Sequence, residues 1–416
     1  MQFKKIVQFV FIWSTLLSIS GDLNVFKVFS NSENTLLKLI DYTNLFEFIS
    51  IGSLLFLMFL DSSFRKTPRI FKGAIIMFVF FYTTCFFSLK PTISFVEVSK
   101  LVYYALIGFA VYHLARIGHL RVIYLILIYS CLIFSMFSIY DYFGFNYGLP
   151  TINRLSYGVN FTSIFGSFVS TANYFFLYLL ILFPQRISGK FEQIHSKHKY
   201  ALDIAIVLAS IVLLGTGRVS ILFGYAISLI LILLFYFNRD TLKLYGKIAL
   251  GIAAFGFISY FAAPKTLKNI SYRFESRIFD RKQGTPEADF ILDNFQNTWR
   301  SFSDNPMTGS GLGAFKGYYA KQYVHGTYLK LIGEMGLVGV LGYVIFIFIL
   351  FKSVFENSKE MWFDGKDKYI ILSSLLFMGG CFVAWGYNEH LIQKMFWVFL
   401  GIYFYRLFSL DKELVI

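Results

Sequence analysis

Apolar runs of about twenty residues recur from one end of the chain to the other. Each is long enough to cross the roughly 30 Å hydrocarbon core of a bilayer as an α-helix. The pattern predicts spans at 4–21, 43–60, 73–89, 95–115, 120–140, 161–183, 200–215, 219–237, 247–263, 327–351, 369–386 and 391–408. A water-soluble fold cannot bury so many such runs, so the expected class is an all-α polytopic membrane protein of about twelve transmembrane helices, with residues 1–416 forming a single transmembrane domain. The first run follows Met1-Gln-Phe-Lys-Lys and has no small-x-small cleavage site before Gly21-Asp22, which reads as a retained helix rather than a signal peptide. No inverted internal repeat of the kind that marks many transporters is visible.

Composition sharpens this picture. Hydrophobic residues make up 56% of the chain and charged residues only 15%, against about 25% charged in an average soluble domain. The net charge of +14 does not point to nucleic acid, because the basic residues gather in alternate short loops. One set holds Lys4/Lys5, Arg65/Lys66/Arg69/Lys72, Arg116/Arg121, Arg186/Lys190/Lys197/Lys199, Arg239/Lys243/Lys247, Lys352/Lys359/Lys366/Lys368 and Arg406/Lys412, whereas the other loops hold scattered cations such as Lys27, Lys38, Lys90, Arg154, Arg218 and Lys394. The positive-inside rule puts the first set and both termini in the cytoplasm.

The long segment 264–325, between the ninth and tenth predicted helices, then lies outside; long loops cross largely regardless of charge. It carries aromatic residues at helical spacing (Phe290, Phe295, Trp299, Phe302) and the Gly-rich stretch NPMTGSGLGAF, which predicts a short amphipathic helix on the membrane face. A second outer segment, 141–160, is aromatic and Gly-rich and includes Arg154.

Ionisable groups in or at the ends of spans are costly and therefore candidates for function. Glu97 with Lys100, and Lys330 with Glu334, have the i,i+3 and i,i+4 spacing of pairs that neutralise one another. Gly333, Gly336, Gly339 and Gly342 form a stripe that suits close approach of a neighbouring element. The three cysteines, Cys85, Cys131 and Cys381, fall inside apolar runs and read as small packing residues.

Arg218, in GTGRVSILFGY, sits where the chain turns at the outer surface, with no acidic residue within a turn of it in sequence. It therefore needs a distant carboxylate, an anionic ligand or a route by which it snorkels to water. A planar guanidinium that cannot lose its charge suits phosphate. His325 ends the large outer loop, where it serves either as a cap or as a base that takes a proton from a hydroxyl near neutral pH. The outer loops contain no Asp-x-Asp pair, no Cys/His cluster and no paired carboxylates, and no Walker-type loop occurs, so neither a metal nor a cofactor is expected.

Three pieces between about Arg154 and Gly339 resemble the bacterial O-antigen ligase and O-antigen polymerase family. They are NRLSYG followed by FGSFVSTANYF; GTGRVSIL, with Leu222 four residues after Arg218; and DNPMTGSGLGAF followed by His325 and Gly336. Two positions depart from the family pattern: Gly326 stands where Asn usually follows the His, and Ile291 stands where an Arg often precedes the Pro-x-x-Gly turn, with Arg277 and Arg281 further upstream.

The resemblance implies a glycosyltransferase fold of the C type in the bacterial inner membrane. Its donor is a glycan on undecaprenyl pyrophosphate, and its acceptor is either lipid A–core (ligase) or another lipid-linked glycan (polymerase). It implies a metal-independent, inverting transfer, with His325 and Arg218 catalytic and Arg154, Arg218, Arg277 and Arg281 holding the pyrophosphate-linked glycan. The competing class, a twelve-helix lipid or sugar transporter, predicts internal repeats and charges at mid-membrane.

Overall fold

A computed structural model of the chain describes residues 2–19, 45–65, 69–149, 168–188, 197–265, 267–268, 271, 286–320, 324, 326–364, 373–374 and 394–413. The regular elements among the described residues are all helices, and the only extended feature among those residues is an isolated bridge between Lys316 and Ala320. The helices are α1 (Gln2–Ile19), α2 (Leu45–Leu60), α3 (Arg69–Phe86), α4 (Pro91–Leu114), α5 (Leu120–Asn146), α6 (Phe168–Ile187), α7 (Lys197–Gly215), α8 (Val219–Phe235), α9 (Arg239–Ala262), α10 (Pro286–Asp304), α11 (Thr327–Asp364) and α12 (Lys394–Glu413). Four stretches are long and apolar enough to cross a membrane: Pro91–Gly144, His198–Gly215, Arg239–Ala262 and Thr327–Ser353; Leu45–Leu60, Phe71–Phe86 and Val219–Leu234 are shorter apolar helices. Large apolar side chains point outward along them, among them Phe59, Val79, Leu234, Leu250 and Phe257. That is the arrangement of a multi-pass membrane protein, in which lipid rather than water covers the outer face. The expected span at 369–386 lies almost wholly outside the described residues.

The described residues form two compact units. In the first, residues 1–120, 284–364 and 385–416, glycines bring the helices into backbone contact. Gly108 of α4 lies against the backbone of Trp397 in α12, and Gly401 lies against Gly108 in return, so any side chain at either crossing would collide with main chain. Gly342 of α11 meets Phe80 of α3, and Gly73 of α3 meets Ile349 of α11.

The two ends of α2 in this unit carry opposite polar chemistry. At its C-terminal end Arg65 donates to the carbonyls of Met58 (2.7 Å) and Phe59 (3.0 Å), covering acceptors the helix leaves open. Lys4 pairs there with Asp61 at 2.7 Å and holds its carboxyl down at about 2, and Arg116 donates to the Ser63 carbonyl at 2.6 Å. At its N-terminal end Glu47 is buried with Lys394, Nζ to Oε1 2.6 Å, and the same Nζ reaches the Ser18 carbonyl at 2.9 Å. Lys4, Arg65 and Arg116, which belong to one loop set in the sequence, thus share one end of α2.

The second unit holds residues 121–283 and 365–384. Its α6, α7 and α9 are joined by Asp203, which is 5% exposed. The carboxylate accepts from Arg186 Nε at 2.5 Å and from Lys247 Nζ at 2.6 Å. Tyr225 of α8 and Ser210 of α7 share a hydrogen bond at 2.8 Å, and Tyr245 of α9 donates to the Leu229 carbonyl at 2.6 Å. Asp203→Ala strands the buried Arg186, and loss of a buried partner costs about 3–5 kcal/mol. The variant is expected to lose thermal stability in detergent, and Asp203→Leu combined with Arg186→Met is expected to regain most of it. Equal melting of wild type and Asp203→Ala would show that the pair carries no stability.

Candidate functional site

Arg218 is positioned by the turn between α7 and α8. Thr216 is buried and donates through Oγ1 to the Leu213 carbonyl at 2.7 Å, and Gly217 takes φ 61, a value that favours glycine. Arg218 is then the N-cap of α8, its carbonyl accepting from Ile221 N at 3.1 Å and Leu222 N at 3.0 Å. The Arg-to-Leu spacing of GTGRVSIL is therefore the first hydrogen-bonded turn of α8. Half-buried at this N-terminus, the guanidinium adds a full positive charge to the partial charge of the helix end, which suits an anion.

The Gly-rich stretch is built on a break in α11. Gly336 has φ 58 and ψ −163, which interrupts the helix and releases backbone groups on both sides of it. The segment 306–313 takes them up. Leu337 N and Val338 N donate to the carbonyls of Pro306 and Met307, both at 2.9 Å, while Ser310 N (3.1 Å) and Gly311 N (2.7 Å) donate to the carbonyls of Gly333 and Glu334. Ser301 Oγ of α10 adds a bond to the Gly333 carbonyl at 2.7 Å, and Glu334 Oε2, fully buried, accepts from Gly313 N at 2.7 Å. On its other side the turn is pinned by Leu89 N and Ser88 Oγ, both donating to the Ser310 carbonyl.

The glycines here are dictated by contact. A Cβ on Gly336 would stand 2.6 Å from Met307 C and Thr308 N, and one on Gly309 would stand 2.5 Å from Glu334 C. Gly336→Ala therefore combines a backbone region closed to side chains with a collision against main chain, a loss on the order of 3 kcal/mol or more. The variant is expected to reach the membrane at reduced yield and melt well below the wild type. Unchanged melting would mean that the clamp does not hold this loop.

The outcome for the sequence expectations is mixed. The Gly stripe on α11 serves close approach at Gly333 (against Thr298), Gly336 and Gly342, each towards a different partner. Lys100 and Glu97 pair at 2.6 Å as their spacing predicts. Glu334 has a further role: its carboxylate fastens the Gly-rich turn, a use signalled in sequence only by an acid in an apolar helix opposite a glycine-rich loop. The amphipathic helix exists as α10, beginning at Pro286. Glu47, Asp203 and Lys394, now seen in buried ion pairs, were not singled out by sequence as a pairing set. His325, Arg154, Arg277 and Arg281 lie outside the described residues. Beside them Val324 is fully buried, and Gly326 takes φ 101 and accepts Lys330 N at 3.0 Å as α11 begins. The tyrosine after the clamp, Tyr319, has its phenol pushed up from its ordinary value by burial and by the neighbouring Asp304.

The Arg218 turn and the clamped turn both fall within residues 204–344, which match the family model described as O-antigen ligase. Over this segment, about a third of the chain, the protein is similar to the O-antigen ligase family. Arg277, Arg281 and His325 lie inside the matched segment and Arg154 lies before it. No curated protein matches the chain. The matched segment runs from α7 into α11, so it includes the whole outer loop predicted at 264–325 and both Gly-rich motifs read from the sequence.

Proposed function

We propose that this chain transfers a glycan from an undecaprenyl-pyrophosphate-linked donor to an acceptor hydroxyl at the outer face of the bacterial inner membrane, with lipid A–core as the acceptor, as in an O-antigen ligase. The observation that supports the reading is that one family-matched segment contains both the Arg218 helix N-terminus and the clamped turn that leads to His325. In this reading the fold is of the glycosyltransferase C type, with about twelve spans, both termini cytoplasmic and the large loop between the ninth and tenth spans on the periplasmic side.

The chemistry follows from the residues. His325 takes the proton of the acceptor hydroxyl as its oxygen attacks the anomeric carbon. The bond from that carbon to the pyrophosphate oxygen breaks, and undecaprenyl pyrophosphate leaves with the electron pair. Attack opposite the leaving group inverts the anomeric configuration. The growing charge on the pyrophosphate is met by Arg218, aided by Arg154, Arg277 and Arg281, so that fixed cations supply the stabilisation without a metal or cofactor. Donor and acceptor are both lipid-anchored in one leaflet, which removes much of the entropic barrier to their meeting.

A polymerase of the same family uses the same donor and differs in acceptor, a second lipid-linked repeat. The purified protein in liposomes, supplied with lipid-linked glycan and both acceptors, separates the two. A single adduct on lipid A–core is the expected result; a ladder of lengths assigns the polymerase reaction, and no product on either acceptor overturns the proposal.

A further inference from the structure

Helix α10 turns the wrong side outward for a helix in water. Its buried residues are small and polar: Thr298 and Ser301, 1% and 0% exposed, pack on Gly333 of α11. Its large apolar residues face out, with Leu292 55%, Phe295 54% and Trp299 57% exposed, and Met307 at the tip of the following turn is 58% exposed. Positions 292, 295 and 299 follow the three- and four-residue steps of one helical stripe. Asp293, Gln296 and Arg300, each one residue later, together with Ser303 form a second exposed stripe about 100° around the helix.

The level of α10 along α11 says what covers the first stripe. Counting outward from Lys352, the roughly 20 residues needed to cross the hydrocarbon core end near residue 332. Thr298 and Ser301 touch Gly333, so α10 lies at that boundary, and the turn at 306–309, bonded to residues 337 and 338, lies about one helical turn deeper. The neighbouring end of α3 is fitted to the same surroundings. Phe86 and Phe87 are exposed immediately before Ser88 and Leu89, the residues that bond Ser310.

We infer that α10 is an interfacial membrane helix. Leu292, Phe295, Trp299 and Met307 sit in the acyl chains of the outer leaflet, and Asp293, Gln296, Arg300 and Ser303 sit among the headgroups. The occupant of the exposed apolar stripe is bilayer lipid. Trp at the boundary suits an amphipathic ring, and Arg300 can meet lipid phosphate. The outer loop is thus held from two sides, by the α11 break and by lipid, independently of which glycan the protein transfers.

The test is site-directed spin labelling in a variant with Cys85, Cys131 and Cys381 replaced by Ser, reconstituted in phosphatidylethanolamine and phosphatidylglycerol liposomes. Single cysteines are placed at Phe295 and Trp299, and for comparison at Gln296 and Ser303. Collision with lipid-soluble oxygen relative to water-soluble nickel chelate is expected to be several-fold higher at 295 and 299 than at 296 and 303. Equal ratios at the four positions overturn the inference, because the helix is then wholly in water or wholly in lipid. Low collision with both probes at 295 and 299 also overturns it, because a second protein surface, such as another copy of the chain, then covers the stripe. A readout without labels guards against disturbed insertion. Brominated phospholipid is expected to quench wild-type tryptophan fluorescence by a larger amount than that of Trp299→Phe, and equal quenched intensity in the two proteins counts against the inference.

Discussion

His325→Ala is expected to insert, fold and bind lipid-linked donor like the wild type, yet transfer glycan about 10²–10⁴-fold more slowly, the usual contribution of a positioned general base. The expectation rests on the proposed role of His325 and on its place in the chain. It stands between a fully buried Val324 and the glycine that opens α11, at the end of a loop clamped by main-chain bonds. A histidine that only caps α11 gives a different signature: lower yield or melting temperature, with the surviving protein turning over at a nearly normal rate. Donor binding, melting and transfer measured on one preparation distinguish the two. The pH profile adds a second check. A free base must be unprotonated to act, so the wild-type rate should fall on the acidic side as the imidazole binds a proton. In the Ala variant the residual rate should lack that limb.

Arg218→Lys is expected to lose most of the activity although the charge is kept. The guanidinium offers a planar fork that bridges two phosphate oxygens, whereas the ammonium is a point charge on a flexible stem. The site adds a geometric reason. Arg218 is the N-cap of α8, so its backbone is fixed by bonds to Ile221 and Leu222 and by the Gly217 turn, and a change of side chain leaves that frame intact. The variant should therefore melt like the wild type while losing affinity for the donor and rate together. Turnover equal to the wild type in Arg218→Lys would mean that the residue only snorkels to the membrane surface.

Among the described residues helices lie where the apolar runs are, but their ends differ, for reasons that specific residues make plain. Helix α9 starts at Arg239, eight residues before the apolar run at 247–263, because Asn238 accepts Thr241 N at 2.8 Å as an N-cap and Asp240 occupies the first turn. Those capping signals are present in NRDTLK, but a search for apolar runs passes over them. Helix α4 starts at Pro91 rather than 95, with proline in the first turn where its missing N–H is harmless. Helix α11 continues to Asp364 past the apolar end at 351, and Lys352 and Glu356 pair at i,i+4 on the added turns. Helix α5 continues through Asp141 to Asn146, shortening the outer segment expected at 141–160.

The site was legible as a set of residue types and illegible as a structure. Glycines at 309, 311 and 313 announced a turn and Gly336 a close approach, but not that the turn's partner would be a helix broken at Gly336, whose freed carbonyls and amides it pairs with. That pairing joins residues 23 or 31 apart in sequence through main-chain atoms, which carry no residue-specific signal. The departure at Gly326 acquires a physical meaning from its φ of 101, a conformation side chains rarely adopt. Here the residue after His325 is set by backbone shape, where a side-chain amide stands in the family pattern.

The central claim, that this chain breaks the bond between the anomeric carbon and the pyrophosphate of a lipid-linked donor, is tested most directly by identifying the lipid product. Purified protein is incubated with undecaprenyl-pyrophosphate-linked glycan and acceptor, and the lipid fraction is analysed by mass. The account predicts undecaprenyl pyrophosphate in one-to-one proportion with the glycosylated acceptor, and about 10²–10⁴-fold less of both from His325→Ala over the same interval. Undecaprenyl monophosphate as the product, or unconsumed donor in a well-folded preparation, would contradict it.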